Sequence, residues 1–151
     1  MIISFFGHSR CSISDLSEQE ILSTIENVTG NNYVEFFLGM YGDFDAFAYR
    51  CAKKYREMHP NSKLVFVTPY IHENYYLLED AKERFDEIVY PELEKVPKRY
   101  AIIRRNEYMI NESDFIIFYV THHHGGGAYM ALEYAKRKNK PYINISNKLE
   151  N

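Results

Sequence analysis

"DFIIFYVTHHHGGGAYMALEYAKRKNKPYINI", residues 114–145, decides how this chain folds. After Asp114 the run to Val120 is unbroken apolar sequence, rich in β-branched and aromatic side chains. Such continuity suits a strand buried on both faces, as in a parallel sheet covered by helices, rather than one with a solvated side. Three histidines and three glycines follow, His122 to Gly127, and then Ala128, Ala131, Leu132 and Ala135 recur at helical spacing. "PYINI" (141–145) reads as another strand. Strand, glycine loop, helix and strand make one unit of an open α/β sheet.

The same grammar extends toward the start of the chain. "MIISFF" (1–6), "YVEFFL" (33–38) and "KLVFVT" (63–68) are further strand-like runs. Between them, Ser17 with Glu20 forms a capping box ahead of Ile21, Leu22, Ile25 and Val28. Phe44, Phe47, Ala48, Cys51, Ala52 and Tyr55 trace a second amphipathic helix, which stops near "HPNS" because Pro60 disfavours helix at His59. A third helix is expected over 75–87 and a fourth over about 98–112, while "IVYPELEKVP" (88–97) fits no element. The order predicts a three-layer open α/β sheet, mainly parallel, of five to six strands with helices on both faces.

Composition narrows the classes. The chain has 151 residues, 46% hydrophobic and 26% charged, as expected of a single compact domain over 1–151. The formal net charge is −3, and Lys and Arg are scattered apart from Lys53-Lys54, Arg104-Arg105 and Lys136-Arg137-Lys138. Nucleic acid is therefore not the expected partner. Cys11 and Cys51 share no CxxC spacing and no signal-peptide pattern is evident, so neither a disulfide nor a cysteine zinc site is expected and a cytoplasmic setting is. No apolar run approaches the roughly 20 residues of a membrane span, so no membrane partner is expected. The 14 Tyr and 10 Phe, with no Trp, either pack the core and its boundary or line a surface, and would suit a homodimer interface.

In an open parallel sheet, ligands bind outside the carboxyl ends of the strands. The loops there are "GHSRCS" (7–12), "GMYGDFD" (39–45), "PYIHEN" (69–74) and "THHHGGG" (121–127). They nominate Gly7, His8, Ser9, Arg10, Gly39, Gly42, Asp43, Asp45, Gly125, Gly126 and Gly127 as a rim for a phosphorylated or ribose-containing ligand. Glycines at a helix start let the backbone approach an anion, whose charge the free N–H groups and the helix dipole stabilise. Asp43 or Asp45 either caps the second helix or bonds a ribose hydroxyl. No metal or other cofactor is expected. Consecutive histidines rarely converge on one centre, and neither an HExxH spacing nor a matching Cys or carboxylate cluster accompanies them.

Beyond these readings, "KRYAIIRRNEYMINESDFIIFYV" (98–120), the glycine turn and "AYMALEYAKRKNKPYINI" resemble the SLOG superfamily. This Rossmann-like group includes the lonely-guy phosphoribohydrolases and the DNA-processing protein A family. The lonely-guy enzymes carry R-K-x-x-M-x-x-x-S-D before a buried strand and then PGGxGTxxE. Here Arg105, Asn106, Met109, Ser113 and Asp114 lie in that register, with Asn106 in place of lysine. "GHSR" (7–10), the GxxGxxDxxA pattern from Gly39 to Ala48, and the stretch from Gly126 to Ile145 are more similar to small bacterial members. The resemblance implies a nucleotide or nucleotide-derived ligand on the loop rim, held in part by Arg105 and Asn106. It also implies that, in an enzyme, Arg105 and Glu133 would be the catalytic pair for an N-glycosidic bond. Gly125, Tyr129 and Met130 depart from the pattern, standing where it has proline, the third glycine and threonine.

Two functions follow: a domain that binds or senses a nucleotide-like molecule, or a nucleotide N-glycosidase or transferase. The Arg105 fork suits a phosphate or carboxylate, or else a pair with Asp114 or a surface acid. Glu133 is either catalytic or the partner of Arg137 one helical turn on.

Overall fold

The computed structural model describes residues 1–12, 14, 16–71, 75–122 and 126–146. The elements run β1 (Ile2–Gly7), α1 (Glu18–Thr29), β2 (Val34–Leu38), α2 (Asp43–Met58), β3 (Ser62–Val67), α3 (Tyr75–Arg84), β4 (Glu87–Val89), α4 (Ala101–Glu112), β5 (Phe115–Tyr119), α5 (Gly127–Arg137) and β6 (Tyr142–Asn144). A short 3₁₀ turn, Lys98–Tyr100, leads into α4. The six strands form one sheet in the order β4-β3-β2-β1-β5-β6, and every neighbouring pair is parallel. The fold is a three-layer Rossmann-like α/β sheet.

Successive side chains on a strand point to opposite faces, so each strand feeds two cores. Phe5, Phe36, Leu64, Phe66 and Ile117 face α1, α2 and α3, meeting Ile21, Ile25, Phe44, Phe47, Tyr55 and Ala81. Phe6, Phe37, Val65, Val67, Ile116 and Phe118 face α4 and α5, meeting Met109, Ile110, Ala131, Leu132 and Ala135. Removing each such Phe from water contributes about 1.5–3 kcal/mol. Burial on both faces is why these strands lack polar alternation.

Local signals set the helix ends. Ser17 accepts the Glu20 N–H at 3.2 Å and starts α1. The His59 N–H closes on the Tyr55 carbonyl at 2.8 Å, and α2 stops before Pro60. Two expectations need correction. The third helix ends at Arg84, not 87, because Glu87 enters the sheet. The start of the unplaced 88–97 stretch completes β4, which pairs with Val65–Val67 at the sheet edge. Three residues are too few to show a period.

The topology positions the site. From β1 the chain builds outward through β2, β3 and β4, then returns to lay β5 on the other side of β1. Where the order reverses, the loops leaving β1 and β5 diverge to opposite faces and leave a crevice at the carboxyl ends. Among the described residues, no helix is long and apolar enough to cross a membrane.

Candidate functional site

A cavity of about 440 Å³ fills that crevice. His8, Ser9 and Arg10 line it from the loop after β1, Tyr41, Gly42 and Asp45 from the start of α2, and Ile102, Arg105 and Asn106 from α4. His122, Gly126, Gly127 and Ala128 close it from the loop after β5 and the first turn of α5. The volume lies in the range of small-molecule sites.

Arg105 dominates the floor. It is only 5% exposed. Its Nη1 donates to the Val67 carbonyl at 2.9 Å and its Nε to Asn106 Oδ1 at 2.9 Å. Its Nη2 meets no acceptor among the described residues. The Asn106 Nδ2 likewise has no acceptor there, although that side chain is 8% exposed. The guanidinium also lies over the Tyr41 ring, 5.5 Å from its centroid. Burial pushes the Arg105 pKa down and the nearby Asp45 opposes this, yet an arginine remains charged at neutral pH. Asp114 is not its partner, because the Asp114 Oδ2 accepts the Ile2 N–H at 2.8 Å.

The first turn of α5 adds more donors. Gly126 is the N-cap and offers no side-chain acceptor. The N–H groups of Gly127 and Ala128 have no partner among the described residues, as is usual for the start of a helix. Gly127 and Ala128 line the same cavity as Arg105 and Asn106. Gly125, His123 and His124 lie outside the described residues.

Asp43 and Asp45 take different roles. Asp43 is exposed, does not line the cavity, and accepts the Cys11 N–H at 3.1 Å. Its own N–H donates to the Ser9 carbonyl at 2.9 Å, so it clasps the first loop to α2. Asp45 lines the cavity and accepts the Tyr41 N–H on Oδ2 at 2.9 Å. Burial raises its pKa, and the Arg105 charge and the Tyr41 N–H pull the other way.

The glycines allow close approach. A Cβ on Gly42 would run into the Ser9 backbone and one on Gly7 into the Phe44 ring. Gly39 sits behind the cavity, where a Cβ would stand 2.8 Å from Asp45 Oδ2 and 3.1 Å from Arg105 Nη1.

His8 ties the loop after β1 to the loop after β5. Its Nε2 accepts the Thr121 N–H at 2.9 Å, so the ring is neutral with its proton on Nδ1. The ring stacks on His122 with centroids 4.1 Å apart and planes within 6°. Burial, and then His122, lower the His8 pKa. Among the described residues no three His, Cys, Asp or Glu side chains converge as metal ligands would.

Glu133 stands apart from this group. It lies six residues into α5, about 9 Å along the axis from Gly127, and does not line the cavity. Its carboxylate pairs with Lys136 at 3.3 Å, while Arg137 lies over the Tyr134 ring at 5.7 Å. Tyr41 and Ile102 also line the cavity and were not among the residues nominated from sequence. Tyr41 was legible as the residue between two nominated glycine-loop positions; Ile102 carries no signal beyond its place on a helix.

No protein-family model matches this sequence, and no curated protein sequence does either. Among solved structures, the fold is similar to the X-ray structure of DNA processing protein A (DprA) from Streptococcus pneumoniae, at a TM-score of 0.65 and 14% identity. The match covers 97% of this chain and 50% of that one, so this chain spans about half the length of that structure. The likeness is one of fold and supports the resemblance at that level. It also corrects an expectation: the acidic balance set nucleic acid aside as a partner, yet this architecture occurs in a DNA-processing protein. The physical reason is that net charge averages over the surface. It does not describe a cavity lined by Arg10, Arg105 and the first turn of a helix.

Proposed function

We propose that the cavity binds a phosphate-bearing, nucleotide-derived ligand. One observation carries this reading: a buried guanidinium, whose Nη2 has no acceptor among the described residues, shares a cavity with the first residues of an α-helix, whose amides have no partner among the described residues either. A buried charge is costly unless paired, and a phosphate would supply the missing acceptors to Arg105, Asn106, Gly127 and Ala128 together. Each hydrogen bond to a charged group contributes about 1.5–3 kcal/mol. The Tyr41 ring and Ile102 offer apolar surface for the rest of such a molecule.

The test is a thermal-shift and calorimetric screen of nucleotides, nucleotide sugars, ADP-ribose and a 5′-phosphorylated oligonucleotide, with Arg105→Ala in parallel. A ligand at a hundredfold over its Kd stabilises the fold by about 2.7 kcal/mol. One class should shift the wild type and not the variant. A panel that leaves the wild type unmoved rejects the reading.

Turnover is a second reading, favoured by one specific observation. Asp45 places a carboxyl group in the same cavity as Arg105, and an N-glycosidase would use such a pair, the ionised carboxylate to stabilise an oxocarbenium-like centre and the guanidinium to fix a phosphate. Release of free base from nucleoside monophosphates, lost in Asp45→Asn and in Arg105→Ala, is the required result. No release over a broad panel ends that reading.

A further inference from the structure

The phosphate subsite is built from donors alone, whereas a nucleotide also brings sugar hydroxyls that must donate. Among the described residues lining the cavity, Asp45 supplies the carboxylate that could receive them. Its Oδ2 holds the Tyr41 N–H, and Oδ1 has no donor among the described residues. It does not form an ion pair with Arg105 within 4.0 Å, although Oδ2 and Nη1 both border the space that a Cβ on Gly39 would occupy. Arg105 Nη1 is instead committed to the Val67 carbonyl. The acidic group therefore sits beside Arg105 with Oδ1 unclaimed among the described residues.

From this arrangement we infer that Asp45 receives the vicinal diol of a ribose, so that the site selects ribonucleotide-class ligands over their 2′-deoxy counterparts. The inference rests on the proposed phosphate site and names the sugar that goes with it. A carboxylate accepts two hydroxyl protons from a cis-diol, and the 2′-hydroxyl is the group that separates ribose from deoxyribose. The adjacency of Asp45 and Arg105 matches the few covalent bonds between the 5′-phosphate and the diol of one nucleotide. Asp43 cannot serve, because it is turned to Cys11 outside the cavity. The same diol occurs on free nucleotides and at the 3′ end of an RNA strand.

The experiment is titration calorimetry at pH 7.5 of AMP, GMP, CMP and UMP, each against its 2′-deoxy form. A short oligoribonucleotide with an intact or a 2′,3′-dideoxy 3′ end distinguishes a strand terminus from a free nucleotide. The wild type should bind the best ribonucleotide at least about tenfold more tightly than its deoxy form, the effect of one hydrogen bond to a charged acceptor. In Asp45→Asn the ratio should fall to within twofold, because ribose binding, which loses two hydroxyl contacts, weakens more than deoxyribose binding, which loses one. Equal affinity of the wild type for both sugars overturns the inference and leaves the phosphate site standing. An Asp45→Asn variant that weakens both sugars alike also overturns it, since that is the signature of a counter-charge for Arg105. If the variant does not fold, the wild-type ratio alone decides. Binding of neither series, the oligoribonucleotide included, overturns the inference, and the wider ligand panel decides the phosphate site separately.

Discussion

Arg105 Nη1 and Asp45 Oδ2 border the same empty position beside Gly39: a Cβ there would lie 3.1 Å from the first and 2.8 Å from the second. The contact is between an absent methyl and the ends of two side chains, so the cost of filling it falls on the site rather than on the backbone. Gly39→Ala should unfold with a loss of about 1 kcal/mol, the low end for overpacking. Ligand affinity should drop on the order of tenfold as Asp45 leaves the Tyr41 N–H, comparable to one lost charged hydrogen bond. Urea denaturation and calorimetry check the two effects separately.

Gly42 and Gly127 should respond in opposite directions. A Cβ on Gly42 meets the Ser9 Cβ at 2.9 Å and the Ser9 carbonyl oxygen at 3.1 Å, so the first loop itself must move. Gly42→Ala should lose roughly 1–3 kcal/mol. A Cβ on Gly127 would meet no atom within 4 Å among the described residues, and the residue opens a helix. Gly127→Ala should be neutral or stabilise by up to about 1 kcal/mol. Equal chemical-denaturation midpoints for the two variants would contradict this account.

The pH dependence follows from His8. Burial first, and then His122, hold its pKa below 6.5 in the folded chain. As the pH falls through 6.5 the unfolded chain takes up a proton that the folded chain resists, so stability declines toward acid and is retained above that value. Protonation would also remove the lone pair that accepts the Thr121 N–H. The loss in denaturation midpoint between pH 7.5 and 5.5 should be smaller in His8→Gln than in the wild type. Superimposable pH profiles would remove His8 from the explanation.

Glu133 should be dispensable for binding. Its carboxylate pairs with Lys136 on the exposed side of α5 and does not reach the cavity. Glu133→Gln should change ligand affinity by less than twofold and stability by less than about 1 kcal/mol. Should base release be observed, Asp45→Asn would abolish it and Glu133→Gln would preserve it, which a single rate assay of both variants decides.

The two thiols should differ in reactivity. Burial pushes the Cys51 pKa up to about 12, leaving almost no thiolate at neutral pH, while Cys11 sits half-buried in the first loop. Ellman's reagent should label one equivalent in the native protein and a second only on unfolding. Rapid labelling of Cys51 in the native state would mean that α2 opens far more readily than its packing indicates.

The elements of this fold were legible because their causes are local. Phe115 to Val120 lack alternation since both faces are covered, Ser17 caps α1 through the amide three residues away, and Pro60 ends α2 by its own sterics. The rim loops were legible for the same reason, since glycine and helix-start residues occupy fixed places in a strand-to-helix unit. β4 was not, because an edge strand of three residues is defined by its partner Val65–Val67 and not by its own pattern.

Tertiary structure decided the partnerships. Sequence left Arg105 free to pair with Asp114; the register of β1 beside β5 gave Asp114 the Ile2 amide instead and turned Arg105 toward Val67. Asp43 and Asp45 are equivalent as helix-start acids, yet two residues on a helix separate them by about 200°, so one clasps Cys11 while the other enters the cavity. Periodicity and capping depend on neighbours within a few residues and can be read along the chain. The identity of the group that meets a buried side chain depends on which strands lie side by side, and that is set only when the whole sheet closes its two cores.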